Sequence, residues 1–173
     1  MAGEARVLGA GDEPLLEAFL EKYLESSVFL LSNLERGGIV DRGERSQPTY
    51  AANFAHDAIT SVAALGWNGN LLVQGDLGLE SAARLAIETS GRAVRGILGP
   101  LALVHRARSA LGLDSAPVAR DLPDRLFALE LERLRVPALL EDPDFALRPP
   151  TESEVREILA GWRASYLEEV LGA

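Results

Sequence analysis

The sequence predicts an α/β (α+β) fold, in which an antiparallel meander of three strands is followed by a βαβαβ succession. The sheet should be mixed, with helices on both of its faces. Three observations support this prediction. Asn68-Gly69 separates two apolar runs, and Asn-Gly is the strongest short-range signal for a two-residue hairpin turn. His56-Asp57 makes a second break just upstream, and helical and strand-like apolar periodicities alternate after the meander.

The residues before the meander predict a short strand and two helices. The strand is expected at residues 6–8, and Asp12 is placed to cap the helix that follows it. Pro14 falls in the first turn of that helix, where the missing N–H costs nothing. Ser26-Ser27 interrupts the pattern and predicts the cap of a second, shorter helix at residues 28–36.

The meander itself is expected at residues 49–55, 59–67 and 70–73. A crossover helix at residues 79–90 should then lead to a strand at residues 92–98. Because strands joined by a helical crossover run in the same direction, this strand should lie parallel to the third strand of the meander.

Two further elements complete the predicted succession. Apolar spacing predicts a helix at residues 101–111. Residues 126–134 alternate apolar and acidic side chains, which is typical of a half-exposed strand.

The end of the chain repeats its opening. A strand is expected at residues 145–148, and Thr151-x-x-Glu154 has the spacing of a capping box, so a helix should span residues 151–171. At one constant offset, Leu15-Leu16, Phe19 and Tyr23-Leu24-Glu25 recur as Ile158-Leu159, Trp162 and Tyr166-Leu167-Glu168. Two amphipathic helices can look alike by chance, but the shared Tyr-Leu-Glu favours a true repeat. We therefore predict a first domain at residues 1–140 and a second domain, cut off after its first helix, at residues 141–173.

The composition argues against several classes of partner. The net charge is −9, from 26 acidic and 17 basic residues, which disfavours nucleic acid and anionic membranes. The chain has no cysteine, which excludes disulfides and thiolate metal sites. Neither His56 nor His105 has a second ligand at metal spacing, so we expect no metal. A cytoplasmic location fits these features.

The order of the predicted elements resembles the core of the GNAT family of N-acetyltransferases. More narrowly, the chain resembles the N-terminal half of bacterial two-domain GNAT-like proteins. The resemblance rests on SSVFLLSNL at residues 26–34, WNGNLLVQ at 67–74 and GILGP at 96–100. Leu147-Arg148-Pro149, followed by Trp162 and Tyr166, looks like the opening of a second GNAT domain.

The resemblance implies acetyl-CoA as cofactor, with its pyrophosphate on backbone amides at the start of the helix after the fourth strand. The implied cofactor-binding residues are Gln74, Gly75, Asp76, Leu77, Gly78, Gly99 and Pro100. The family loop reads Gln/Arg-x-x-Gly-x-Gly/Ala, and here leucines stand at positions 77 and 79 where small residues are expected. Asp76 adds a negative charge, and the two glycines also suit an ordinary turn. We therefore expect acetyl-CoA to bind weakly or not at all.

The function favoured by the sequence is a GNAT-like, non-catalytic N-terminal half that scaffolds a second, acetyl-CoA-dependent domain missing from this chain. One alternative is an active N-acetyltransferase with an atypical CoA loop. Another is a binding or dimerisation module without catalysis. No catalytic residue is assigned. The apolar stripe of the last helix, which includes Trp162, Tyr166 and Val170, should dock on another surface, and we expect a homodimer.

Overall fold

A computed structural model describes residues 3–121, 123–146 and 148–169 of the chain. The chain divides into two compact units, Met1–Ala128 and Leu129–Ala173. The first unit is built on a mixed sheet of five strands in the order β1-β2-β3-β4-β5. The second unit contains a long helix and two short 3-10 turns.

The strands are β1 (Glu4–Val7), β2 (Thr49–Ala55), β3 (Ala58–Leu65), β4 (Asn70–Gly75) and β5 (Gly96–Leu98). The helices are α1 (Glu13–Leu20), α2 (Leu24–Gly37), α3 (Leu79–Ser90), α4 (Leu101–Ala110) and α5 (Glu152–Glu169). Short 3-10 turns lie at Glu21–Tyr23, Leu131–Arg133 and Ala138–Glu141.

The sheet has the predicted meander and crossover. Strands β1 to β4 pair antiparallel with their neighbours in chain order. β5 pairs parallel to β4, with Asn70 opposite Gly96 and Leu72 opposite Leu98, and α3 makes the crossover between them. The predicted parallel placement of the strand after α3 is therefore confirmed, although this strand begins at Gly96 rather than at position 92.

Helices cover both faces of the sheet, as the sequence predicts. α1 and α2 contribute to one apolar core, and α3 and α4 contribute to the other. Neighbouring residues of one strand, such as Ala51 and Ala52 in β2, belong to different cores because successive side chains point to opposite faces.

The turn between β3 and β4 differs from the predicted two-residue hairpin. The N–H of Gly66 donates to Asn70 O over 2.9 Å, and the N–H of Gly69 donates to Gly66 O over 3.0 Å. Gly69 has a φ of 80°, whereas Asn68 is not among the residues with positive φ. The connection is thus a three-residue loop, a turn over Trp67 and Asn68 followed by a left-handed glycine. The Asn-Gly pair marks the hairpin, but glycine alone supplies the unusual backbone conformation.

The turn between β2 and β3 lies at the predicted position. Ala55 pairs with Ala58, so His56 and Asp57 form the two-residue connection. His56 has a φ of 57°, a conformation that histidine adopts more readily than most residues other than glycine.

Two helix caps predicted from the sequence form differently. α2 begins at Leu24, so Ser26 and Ser27 lie inside this helix and not at its cap. Asp12 is at the N-cap position of α1, but its carboxylate accepts from the N–H of Gly9 over 2.9 Å and pairs with Arg6. These polar side chains have tertiary or loop partners, which compete with local capping.

The prediction of a strand at residues 126–134 is wrong. This segment contains the 3-10 turn Leu131–Arg133, and its apolar side chains are exposed, with Phe127 at 91% exposure. Alternation alone does not form a strand, because a strand also needs a partner for its backbone groups. The strand predicted at residues 145–148 is likewise not found in the part of that segment the structure describes, which omits Leu147.

α5 begins with the predicted capping signal. The N–H of Thr151 donates to Glu154 Oε2 over 2.7 Å, and Arg148 pairs with the same carboxylate over 2.7 Å. These hydrogen bonds, that of Arg148 first, lower the pKa of Glu154 to about 2. Position 170, which the sequence assigns to the apolar stripe, lies outside the described residues.

Candidate functional site

The predicted site residues meet at the carboxyl ends of β4 and β5. β5 stops pairing at Leu98, opposite Leu72, whereas β4 continues to Gly75. Gly99 turns the chain away with a φ of 156°, and a Cβ at this position would lie 2.5 Å from Val73 O. Residues 74–78 and Gly99-Pro100 therefore share one edge of the sheet. In α/β proteins, the carboxyl ends of parallel strands often border a ligand crevice.

Gln74 closes the edge of β4 that β5 leaves open. Its side chain is buried, and its Nε2 donates to Ser26 Oγ over 2.7 Å and to Ser27 Oγ over 3.2 Å. Its Oε1 accepts from the N–H of Gly75 over 2.9 Å. Gln74 thus links α2 to β4 and satisfies a backbone amide that a strand or an extended ligand would otherwise reach.

Three side chains hold the loop between β4 and α3 through one carbonyl group. Leu77 O accepts from Asn53 Nδ2 over 3.2 Å, from Thr60 Oγ1 over 2.8 Å and from Ser61 Oγ over 2.9 Å. These three residues are not among those that the sequence predicts for the site. The signal available was the presence of Asn53 and Ser61 within apolar strands, because a buried polar side chain needs a partner.

The two glycines of the loop are required by its geometry. Gly75 and Gly78 have φ values of 78° and 77°. A Cβ on Gly75 would lie 2.4 Å from Thr60 O, and one on Gly78 would lie 2.1 Å from the side chain of Asn53. The backbone here is packed tightly against β2 and β3. This arrangement agrees with the turn that the glycines also suggested.

The charges at the start of α3 are mostly acidic. Arg106 of α4 forms an ion pair with Asp76 and another with Glu80, the latter at 2.7 Å. Arg106 Nη2 also donates to Asp76 O over 2.8 Å. Carboxylates are favourable at this end of a helix because they complement its dipole. A diphosphate placed here would meet two carboxylates against one guanidinium.

A second charged cluster lies away from the predicted site. Asp41 forms a bidentate pair with Arg92, at 2.7 and 2.9 Å, and accepts from Thr49 Oγ1 over 2.5 Å. Burial raises the pKa of Asp41, but the hydrogen bonds from Arg92, Thr49 and Gly43 outweigh burial and lower it to about 2. The cluster ties the loop after α2 to the end of α3. The contacts of this cluster therefore indicate a role in stabilising the fold.

A cleft of about 750 Å³ lies beside β1 and the turn between β2 and β3. The side chains in it include Arg6, Phe54 and His56. Arg6 already pairs with Asp12 at 2.7 Å and lies over the Phe54 ring at 4.5 Å. The residues predicted to bind a cofactor are not among those that line this cleft.

Residues 3–121, 123–146 and 148–169 lack the features of a metal site and of a membrane-spanning helix. Within these ranges, no group of three or more His, Asp or Glu side chains is placed to hold a metal ion. None of the helices in the same ranges is long and apolar enough to cross a membrane.

No protein-family model matches this chain, and no match was found among curated proteins or among solved structures.

Proposed function

We propose that this chain carries a GNAT-like domain that is not itself catalytic and that scaffolds a second, acetyl-CoA-dependent domain. The order of β1, α1, α2, the meander, α3, β5 and α4 supports the fold part of the proposal. The parallel pairing of β4 with β5 supports it as well. Both features agree with the element order of the family that the sequence resembles.

The loop between β4 and α3 supports the proposal that the domain is not catalytic. Its backbone polar groups already have hydrogen-bond partners within the chain. The carbonyl of Leu77 is fixed by three side chains, and the amide of Gly75 is bonded to Gln74. Asp76 and Glu80 add two negative charges near the amides on which a pyrophosphate would rest. Anion binding at a helix N-terminus needs accessible amides and no competing negative charge.

The way in which the same residues are used supports the proposed scaffolding role. Gln74, which matches the family loop, is buried and holds α2 against β4. Arg106 holds the start of α3 to α4. The polar groups at this edge thus bind one another and stabilise the domain, which supports a structural role for it.

Acetyl-CoA binding to the 173-residue chain tests the proposal. A ligand present at 100 times its Kd stabilises a protein by about 2.7 kcal/mol. For a domain of this size, that stabilisation raises the Tm by several degrees. We expect no shift of the Tm with millimolar acetyl-CoA and no binding heat in calorimetry. Micromolar affinity would instead support an active N-acetyltransferase with an atypical loop.

A double variant tests the cause of weak binding. Asp76→Ala with Leu77→Gly removes a charge and a bulky side chain, both of them exposed. If these side chains obstruct the cofactor, the variant should bind acetyl-CoA at least tenfold more tightly than the unmodified chain. Asp57→Ala, which removes a carboxylate from the turn between β2 and β3, is the control and should not change binding.

A further inference from the structure

The loop between β3 and β4 carries a side chain that can react with its own backbone. Asn68 is exposed, and it is the asparagine of this chain that precedes a glycine. Asn33, Asn53 and Asn70 precede leucine, phenylalanine and leucine. The backbone nitrogen of the residue after an asparagine can attack the side-chain amide, and glycine hinders that attack least because it has no Cβ. Asn68 is therefore the asparagine at which this reaction is least hindered.

The fold restrains both reacting groups. The N–H of Gly69 donates to Gly66 O over 3.0 Å, and the Oδ1 of Asn68 accepts from the N–H of Asn70 over 3.1 Å. Gly69 itself is buried, and its carbonyl accepts from the N–H of Arg95 over 2.8 Å. The attacking nitrogen is thus covered while the loop is closed, so the reaction requires the loop to open.

Opening of this loop breaks few contacts. The loop lies at the end of a hairpin, and the side chains of Trp67 and Asn68 are exposed. Local opening of such a segment needs far less free energy than unfolding of the whole domain. The two hydrogen bonds that hold the reacting groups, at their typical net strength, lower the open fraction by a factor of roughly 5–150. The folded chain therefore still reaches the reactive state.

We propose that Asn68 deamidates in the folded protein and that opening of this loop sets the rate. The backbone nitrogen of Gly69 attacks the Cγ of Asn68 and gives up its proton, and the side-chain nitrogen leaves as ammonia. Water then opens the resulting succinimide at either of its carbonyl groups. Breaking the bond to Cγ gives aspartate, and breaking the bond to the main-chain carbonyl gives isoaspartate. The net reaction consumes a water molecule and releases an ammonia molecule, and nothing is oxidised or reduced.

The two products should affect the hairpin differently. Aspartate retains a side-chain oxygen that can accept from the N–H of Asn70. Isoaspartate adds a methylene group to the main chain of a loop that is closed by the bond from the N–H of Gly66 to Asn70 O, at 2.9 Å. The same loop positions Gly69 O, which accepts from the N–H of Arg95 just before β5. Isoaspartate should therefore weaken the pairing of β3 with β4 and the start of β5.

Peptide mapping by mass spectrometry tests the site. The 173-residue chain is incubated at mildly alkaline pH, folded or in urea, and isoaspartate is detected by enzymatic methylation of its free carboxylate. In urea, Asn68 should react at least tenfold faster than Asn70, because the side chain of Leu71 hinders attack on the neighbouring asparagine. In the folded chain, Asn68 should react roughly 5–150 times more slowly than in urea.

Hydrogen exchange tests the role of loop opening independently. The N–H of Gly69 is both the exchanging group and the source of the attacking nitrogen, so its protection should match the slowing of deamidation within a few-fold. Asn68→Gln is the matched variant, because glutamine keeps a side-chain amide but would have to close a larger ring. This variant should give no detectable product at position 68 over the same period.

Asn68→Asp separates the effects of the two products. When freshly prepared, this variant carries the aspartate product alone, and its Tm should equal that of the unmodified chain. Folded protein that has been aged until it contains isoaspartate should instead show a second unfolding transition at lower temperature. Thermal unfolding followed by circular dichroism measures both.

Each part of the proposal has an outcome that overturns it. Absence of product at Asn68 in the folded chain, when the chain in urea is fully converted, would reject the site. Equal rates with and without urea, or protection of the Gly69 N–H that does not match the slowing, would reject control by loop opening. A Tm that isoaspartate does not change would reject the effect on the hairpin.

Discussion

The two copies of the sequence repeat differ in local structure and in surroundings, because the first runs through α1, a 3-10 turn and the start of α2, whereas the second lies within α5. Leu16 and Leu159 occupy equivalent positions on helices, yet Leu16 is 0% exposed and Leu159 is 55% exposed. The aromatic residues four positions apart contact each other in both copies, with ring centroids 5.4 Å apart for Phe19–Tyr23 and 5.3 Å apart for Trp162–Tyr166. A helical apolar pattern thus predicts helical structure and the aromatic contact, but it predicts neither the break in the first copy nor what covers the apolar side chains.

The difference arises from the sheet. In the first unit, Phe19 packs at the edge of the sheet, where a Cβ on Gly75 would lie 2.7 Å from its ring. α1 and α2 share one core with residues of β2, β3 and β4. Among the residues described in the second unit, regular structure consists of α5 and two short 3-10 turns, without a sheet for α5 to pack against. Most helical stability comes from tertiary packing and not from helix propensity.

The largest expected effect compares the two equivalent leucines. Leu16→Ala should lower the free energy of unfolding by about 2–5 kcal/mol, because it leaves a cavity in a closed core. Leu159→Ala, studied at concentrations where the chain is monomeric, should change it by no more than about 0.5 kcal/mol. Urea unfolding followed by circular dichroism measures both. Equal effects would mean that α5 is packed as firmly as α1.

The next effect compares two glycines and should have opposite signs. Gly75→Ala should lower the free energy of unfolding by roughly 2–4 kcal/mol, because its φ is 78° and the new Cβ meets Thr60 O. Gly161→Ala meets no atom within 4 Å and should favour the α5 helix by about 1 kcal/mol. Thermal unfolding and far-ultraviolet circular dichroism distinguish the two. A neutral Gly75→Ala would contradict the close approach of β4 to β3.

The smallest effect compares two carboxylates whose pKa values are both lowered to about 2. The ordinary value for Asp41 is 3.8, so its ion pair contributes stability above that pH and loses it as the pH falls toward 2. At neutral pH, Asp41→Asn should destabilise the first unit by roughly 2 kcal/mol, and the difference should vanish near pH 2. Glu154→Gln, on the surface of α5, should leave the unfolding of the first unit unchanged at every pH. Urea unfolding across this pH range checks both substitutions, and a constant Asp41→Asn effect would contradict the assigned pKa.

The sequence predicted an element correctly wherever its local pattern is compatible with one type of secondary structure. The three strands of the meander, the crossover helix α3, the start of α4 at position 101 and the Glu154 cap of α5 follow from apolar periodicity and from Gly, Pro and capping residues. These signals act over a few residues, so they indicate where an element begins and ends without information from the rest of the chain. The strand at residues 126–134 failed because alternation specifies two faces but provides no partner strand.

In the candidate site, too, the sequence identifies some residues, and the tertiary structure alone shows their contacts. Gln74 and the glycines at 75 and 78 could be identified from the sequence, because a motif and a turn are local. Only the tertiary structure decided that Gln74 bonds to Ser26 and Ser27, and that Asn53, Thr60 and Ser61 meet at Leu77 O. Such contacts join residues far apart in the chain, and they depend on strand register and helix placement. Those two features are fixed when the core closes, because burial rewards one arrangement of the whole sheet and no local pattern encodes it.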